Sequence, residues 1–135
     1  MKITELLLNK DKSSLKRDVK TKTIYSPSLS QMLDEDVEIT IKEIENERFF
    51  EFNQRLNDEE DAYTMSEFAC DMCLAAIVDP DFHDAEIYER FAGAHTPEDA
   101  IKVAFTAIEQ MSITNTLSEM QKVSPKKEDI KSVKN

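Results

Sequence analysis

The chain contains one glycine, Gly93, in 135 residues, and this scarcity restricts its possible folds more than any other feature. Average proteins use roughly 7% glycine, which supplies the positive φ angles of tight turns. A barrel or sandwich built from many short strands needs such turns throughout. The sequence therefore predicts a mainly helical chain.

Two segments nevertheless have the two-residue period of β-strands. VKTKTIY (19–25) places alternate residues from Val19 to Tyr25 on one side, and VEITIK (37–42) alternates apolar with polar residues. We interpret the intervening residues 26–36 as a loose loop. An isolated two-stranded ribbon is barely stable, so we expect this one to pack on helices.

Beyond the second strand, the apolar residues recur at helical spacing. A first helix is predicted in residues 44–57 with Asn46 as its N-cap, and a second in residues 62–78. The second helix carries the strongest apolar stripe of the chain. It should end at Asp79-Pro80, because the residue before a proline disfavours helical geometry.

Capping residues predict where further helices begin and end. Asp84 is a candidate N-cap for a helix of about residues 84–92, and Gly93 is the best available C′ residue. Thr96 as N-cap and Pro97 at the first helical position open the next helix. These signals predict a third and a fourth helix in the second half of the chain.

The predicted fold class is α+β and mainly α-helical, with a small N-terminal two-stranded β ribbon packed on about four C-terminal helices. Residues 1–18 are interpreted as a short helix, ITELLL, and a charged linker. Residues 19–123 form a single folded domain. Residues 124–135 have almost nothing to bury and are predicted to be a disordered tail.

The net charge of −11 is unevenly distributed. Residues 1–31 carry a net +4, residues 32–110 a net −17 and residues 111–135 a net +2. An acidic centre repels phosphate backbones, so we expect no nucleic-acid binding. It suits either a protein that meets a basic partner or a surface whose charge only prevents self-aggregation.

The expected compartment follows from hydropathy and cysteine content. No stretch approaches the ~18 consecutive apolar residues of a membrane span, and the apolar run near the N-terminus is too short for a signal-peptide core. The chain has two cysteines. We therefore expect a cytoplasmic protein without membrane association, whose thiols stay reduced.

The CDMC motif gives Cys70 and Cys73 the spacing of a redox or zinc pair. A redox pair needs neighbours that favour the thiolate, whereas Asp71 and Glu67 disfavour it. A zinc site would need two further ligands, at spacings that the two histidines do not provide. We therefore expect both cysteines to be buried as small apolar residues, and we expect no metal and no cofactor.

The segment DPDFHD (79–84) superficially resembles a calcium loop, but its sixth position is Asp84 in place of glycine and its twelfth is Arg90 in place of glutamate. His83 and His95 lie at opposite ends of a short helix, roughly 12 Å apart at 1.5 Å per residue. No phosphate loop, nucleophile elbow or HExxH motif is present, so we expect no catalytic site. The residues interpreted as structural caps are Asp79, Pro80, Asp84, Gly93, Thr96 and Pro97.

The last predicted helix carries an apolar stripe that suits a binding surface. Methionine in particular is common at surfaces that accommodate varied partners. Core packing is the alternative use for most of these side chains. The candidate partner-binding residues are Ile108, Met111, Ile113, Leu117 and Met120.

The order of segments resembles that of the XkdN-like phage tail assembly chaperones of Gram-positive phages and prophages. The resemblance begins at ELLL, continues through KTIYSPSL and VEITIKEIENERFFEF, and covers roughly residues 4–122. Its most specific part is DPDFHDAEIYERFAGAHTPEDA (79–100). The residues there that match the family pattern are Asp79, Pro80, Asp84, Phe91, Thr96 and Pro97.

The chain departs from the family pattern before the final helix. Family members often have a glycine at that point, whereas TAIEQM (106–111) contains neither glycine nor proline. We therefore expect the final helix to run on from the preceding one.

The resemblance implies a non-enzymatic protein that coats the tape measure protein before tail tube subunits polymerise around it. The major tail tube protein and a second copy of the chain, in a homo-oligomer, are further candidate partners. The implied location is the cytoplasm of the bacterial host, with the protein absent from the mature virion.

The residues alone leave an alternative open, namely an acidic regulatory or DNA-mimic protein that captures a basic host protein. A mimic needs carboxylates in a continuous stripe at phosphate-like spacing. The acidic clusters at 34–38, 57–61 and 79–89 are broken by apolar residues, which favours a scattered acidic surface.

Overall fold

The computed structural model describes residues 2–122, and the predicted tail lies outside them. The described residues form an α+β fold with seven helices and a three-stranded antiparallel sheet, and 55% of them are helical. This confirms the α+β, mainly helical class. The elements are α1 (Ile3–Leu8), a 3-10 turn (Lys12–Ser14), β1 (Thr21–Tyr25), α2 (Pro27–Leu33), β2 (Glu38–Lys42), α3 (Asn46–Asn57), α4 (Met65–Ala76), β3 (Ile77–Asp79), α5 (Ala85–Tyr88), α6 (Pro97–Ala104) and α7 (Ala107–Gln121).

The sheet has three strands in the order β1-β2-β3. The predicted two-stranded ribbon therefore lacked the third strand. β1 and β2 pair antiparallel along their whole length, and β3 pairs with the other edge of β2, with Ile77 opposite Ile41. The prediction that α4 ends at Asp79-Pro80 was wrong. The helix ends at Ala76, because the next three residues form β3, in which Ile77 and Asp79 pair with β2. The peptide bond between Asp79 and Pro80 is cis.

The connection between β1 and β2, predicted as a loose loop, contains helix α2. Ser26 is its N-cap, with Oγ accepting a hydrogen bond from the Leu29 N–H at 3.3 Å, and Pro27 stands in its first turn. The helix ends at Leu33, and its C-cap residue Asp34 has a φ of 55°, in the left-handed region. Serine followed by proline is a helix-start signal, but seven residues are too few for a clear helical period.

Helix α4 lies at the centre of the body and packs against α3, α6 and α7. Half of its residues are buried, including both cysteines. Ile39 and Ile41 of β2 are buried in the same core. The Phe82 ring contacts those of Phe91 and Phe105, at centroid distances of 5.6 and 5.7 Å.

Two helix boundaries in the structure differ by a few residues from the predicted ones. Asn46 is the first residue of α3, and Glu45 occupies the N-cap position without a side-chain cap. Asp84 is the N-cap of α5, but the helix ends at Tyr88, so Gly93 is too far along the chain to be its C′ residue. Gly93 has a φ of 78° and serves the turn that leads towards α6.

Helices α6 and α7 are separate, so the predicted run-on helix was wrong. Thr96 caps α6 and Pro97 begins it. Phe105 interrupts the helical path with an extended backbone, and its side chain is buried against Phe82. Thr106 then caps α7, because its Oγ1 accepts a hydrogen bond from the Glu109 N–H at 3.2 Å. A buried phenylalanine and a capping threonine thus separate the two helices without the glycine of the family pattern.

Candidate interaction surface

Both cysteines lie in the core beneath α6 and α7. Cys70 is 2% exposed and Cys73 is fully buried. Burial raises the pKa of the Cys70 thiol to about 11 and that of the Cys73 thiol to about 12. A thiol that stays protonated is a poor nucleophile and a poor metal ligand. Both side chains therefore act as small apolar core residues.

The carboxylates of the 79–100 segment accept hydrogen bonds from nearby backbone N–H groups. Asp81 binds the N–H of His83, and Asp99 binds the N–H of His95, each at 3.0 Å. The His95 N–H, helped by Thr96, lowers the pKa of Asp99. Within residues 2–122, no group of three or more histidine, cysteine or acidic side chains could hold a metal ion.

The five candidate partner-binding residues of α7 do not share one face. Ile108 is 81% exposed and Met111 is 56% exposed. Ile113 and Leu117 are in the core at 2% and 0% exposure, and Met120 packs half-buried against it. Only Ile108 and Met111 therefore remain on the outer surface of the folded chain.

Ile108 stands at the edge of a groove between the start of α7 and the corner where β1 meets α2. This feature, called here the α7 groove, has a volume of about 420 Å³. Its apolar lining consists of Ile24, Tyr25, Pro27, Ile39, Ile108 and Ile113, and its polar lining of Ser28, Gln31, Thr106, Glu109 and Ser112. The sequence indicated Ile108 and Ile113 but not the opposite wall, because that wall depends on the position of α2.

The groove runs into a second depression with an acidic lining. The two share Tyr25, Pro27 and Gln31, and the second adds three consecutive carboxylates. We call this feature the acidic depression, and its carboxylates are Asp34, Glu35 and Asp36. An apolar groove that continues into an acidic depression fits an apolar helix that is followed by basic residues.

A buried carboxylate joins the two walls of the groove. Glu109 is 9% exposed; its Oε2 accepts from the Ser26 hydroxyl at 2.8 Å and its Oε1 from the Ser28 N–H at 3.0 Å. The Thr106 N–H in turn donates to the Ser28 Oγ at 3.4 Å. The N-termini of α2 and α7 therefore meet at one negative charge, which offsets the positive ends of both helix dipoles.

These features define a small α+β protein with an apolar groove between α7 and the corner where β1 meets α2. The chain belongs to the phage XkdN-like tail assembly chaperone family, whose model matches residues 4–134. No curated protein and no solved structure gives a significant match. Among the described residues, no helix has the length and apolar character required to cross a membrane.

Proposed function

We propose that this tail assembly chaperone binds an apolar helix of the tape measure protein in the α7 groove. The observation that carries the proposal is Ile108, an isoleucine 81% exposed at the edge of a concave apolar surface. An amphipathic helix binds such a groove through apolar side chains spaced three and four residues apart. Burial of one isoleucine stabilises a complex by about 1.5–3 kcal/mol.

The charge pattern supports a client of matching chemistry. The acidic depression favours lysine or arginine next to the apolar anchors of the client helix. Because the centre of the chain is strongly acidic, separate complexes of client and chaperone would repel one another. This repulsion opposes aggregation of the client's apolar helices.

The role in assembly follows from this mode of binding. The chaperone would cover apolar segments of the tape measure protein in the cytoplasm of the bacterial host, without catalysis. Tail tube subunits, the second candidate partner, would then displace it, and it would be absent from the mature virion. A groove that binds through a few apolar anchors permits such release, because a small contact area gives modest affinity.

Co-expression with the tape measure protein, followed by affinity capture, tests the proposal. The wild-type chain should capture the client, and Ile108→Glu should reduce capture at least about tenfold, the equivalent of about 1.4 kcal/mol. Asn115→Glu is the matched control, since it introduces the same charge on an exposed position of α7 outside the groove. Equal capture by all three chains would reject the groove, and a client that is soluble and unbound beside the wild-type chain would reject the function.

A further inference from the structure

Helix α1 is an apolar helix with nothing covering it. None of its six residues is buried, and its large side chains are between 47% and 79% exposed. Ile3, Leu6 and Leu7 are three and four residues apart, so they form one stripe with Leu8 beside it. An isolated helix of this length is not stable in water, so the segment needs a partner surface.

The attachment of α1 and the α7 groove lie at opposite ends of the body. The N-terminal segment joins the body near the end of α7, where the Lys20 Nζ donates to the Met120 carbonyl at 3.2 Å and Arg17 pairs with Glu43. The groove lies at the start of α7, beside Ile108. Twelve helical residues separate these points, or about 18 Å at 1.5 Å per residue. Docking within one chain would require the linker to run back along the molecule.

The N-terminal segment matches the groove in both polarity and charge. Its apolar stripe is the kind of surface that fits the groove, and the linker after it is rich in lysine. The linker lysines are Lys10, Lys12 and Lys16. When the stripe occupies the groove, these side chains can reach the carboxylates of the acidic depression, which is continuous with it.

We infer that α1 of one copy docks into the α7 groove of a second copy, with its lysine-rich linker over the acidic depression. Because the donor and the acceptor lie at opposite ends, each copy can give its α1 and receive another, which builds a head-to-tail series. The contact is small, so the association is weak and reversible. The competition with the client described next rests on the proposed function, but the self-association does not.

The same groove cannot hold α1 of a neighbour and a client helix together. Self-association therefore covers the apolar groove while no client is present, and a client displaces it. This gives the chaperone a way to keep its binding surface from unspecific contacts. It also predicts that loss of α1 docking strengthens client capture.

Sedimentation of the full-length chain at increasing concentration tests the inference. The average mass of the wild-type chain should rise with concentration and fall again at high salt, which screens the lysine contacts. Leu7→Gln and Ile108→Glu should each lower the association constant at least about tenfold. Leu7→Met is the matched control, because glutamine and methionine have similar helix propensity and differ mainly in polarity.

Mixing the two defective chains distinguishes docking from a general loss of folding. The Leu7→Gln chain keeps an intact groove and the Ile108→Glu chain keeps an intact α1, so an equimolar mixture should form dimers and nothing larger. A wild-type chain that is monomeric at every concentration, an association that Leu7→Gln leaves unchanged, or a mixture that stays monomeric would each overturn the inference. Client capture by Leu7→Gln is read separately, so a Leu7→Gln chain that loses self-association as expected but captures no client rejects only the proposed function.

Discussion

The Ser26 hydroxyl donates to the Glu109 carboxylate at 2.8 Å across 83 positions of sequence. Ser26 also caps α2 by accepting from the Leu29 N–H. One buried carboxylate and one capping serine thus position α2 against α7 and set the width of the groove between them.

Glu109→Gln should destabilise the fold by about 1–3 kcal/mol, because it removes hydrogen bonds made to a charged acceptor and turns an amide N–H₂ towards a donor. Denaturant unfolding measures the change. Glu119→Gln is the control on the same helix. Its carboxylate pairs with Lys122 at 2.9 Å, but both side chains are about two-thirds exposed or more, so the loss should stay within about 0.5 kcal/mol. Equal losses for the two variants would contradict the role given to Glu109.

The sequence predicted the helical body better than the groove, for a physical reason. The apolar stripe of α4 and the caps at Asp84 and Thr96 are local signals, readable within a few residues. The contact of Ser26 with Glu109 joins distant segments and leaves no local trace. β3 was missed for the same reason, since Ile77 continues the apolar pattern of α4 and only pairing with β2 makes it extended.

The apolar residues of α7 were predicted as one stripe, although nine residues at about 100° each place Ile108 and Leu117 on opposite sides of a helix. The predicted run-on helix continued the stripe of the preceding helix through Ile108, whereas Phe105 and Thr106 start α7 afresh. The division of these residues into core and surface can be tested by paired truncations. Leu117→Ala should cost about 2–5 kcal/mol of stability through the cavity it leaves. Ile108→Ala should cost less than about 0.5 kcal/mol, because its side chain is mostly in water.

Client capture should be reduced more by Ile108→Ala than by Leu117→Ala, which is the reverse of the order of their stability losses. The folded Leu117→Ala chain keeps the groove, so it should capture the tape measure protein as the wild type does. The assay should be run at a temperature well below the unfolding midpoint of this variant. Ile108→Ala should capture less. If both variants changed stability by similar amounts, the assignment of Leu117 to the core and Ile108 to the surface would be wrong.

Tyr63 secures the connection between α3 and α4. Its hydroxyl donates to the Asp71 carboxylate, and the Arg55 guanidinium lies 4.1 Å from its ring centroid. Burial, followed by the hydrogen bond to Asp71, raises the pKa of Tyr63. Tyr63→Phe should lower the free energy of unfolding by about 1 kcal/mol, measured by denaturant titration. Tyr25→Phe is the control, since Tyr25 is exposed and its hydrogen bond to Asp36 is long, at 3.4 Å.

The buried thiols predict a loss of stability at high pH. The folded-state pKa values of Cys70 and Cys73, about 11 and about 12, lie above the ordinary thiol value of 9.0. At a pH between 9 and these values, the unfolded chain has released thiol protons that the folded chain still binds. The free energy of unfolding therefore falls as pH rises. Each thiol contributes a slope of up to about 1.4 kcal/mol per pH unit in that window.

Comparison with Cys70→Ala/Cys73→Ala isolates this contribution from that of Tyr63, whose pKa is also raised by burial. The double variant should be less stable at neutral pH, because it leaves space in the core, but its stability should fall less steeply above pH 9. Denaturant unfolding at a series of pH values measures both slopes. Parallel slopes would mean that the thiols ionise as easily in the folded chain as in the unfolded one, which is incompatible with their place beneath α6 and α7.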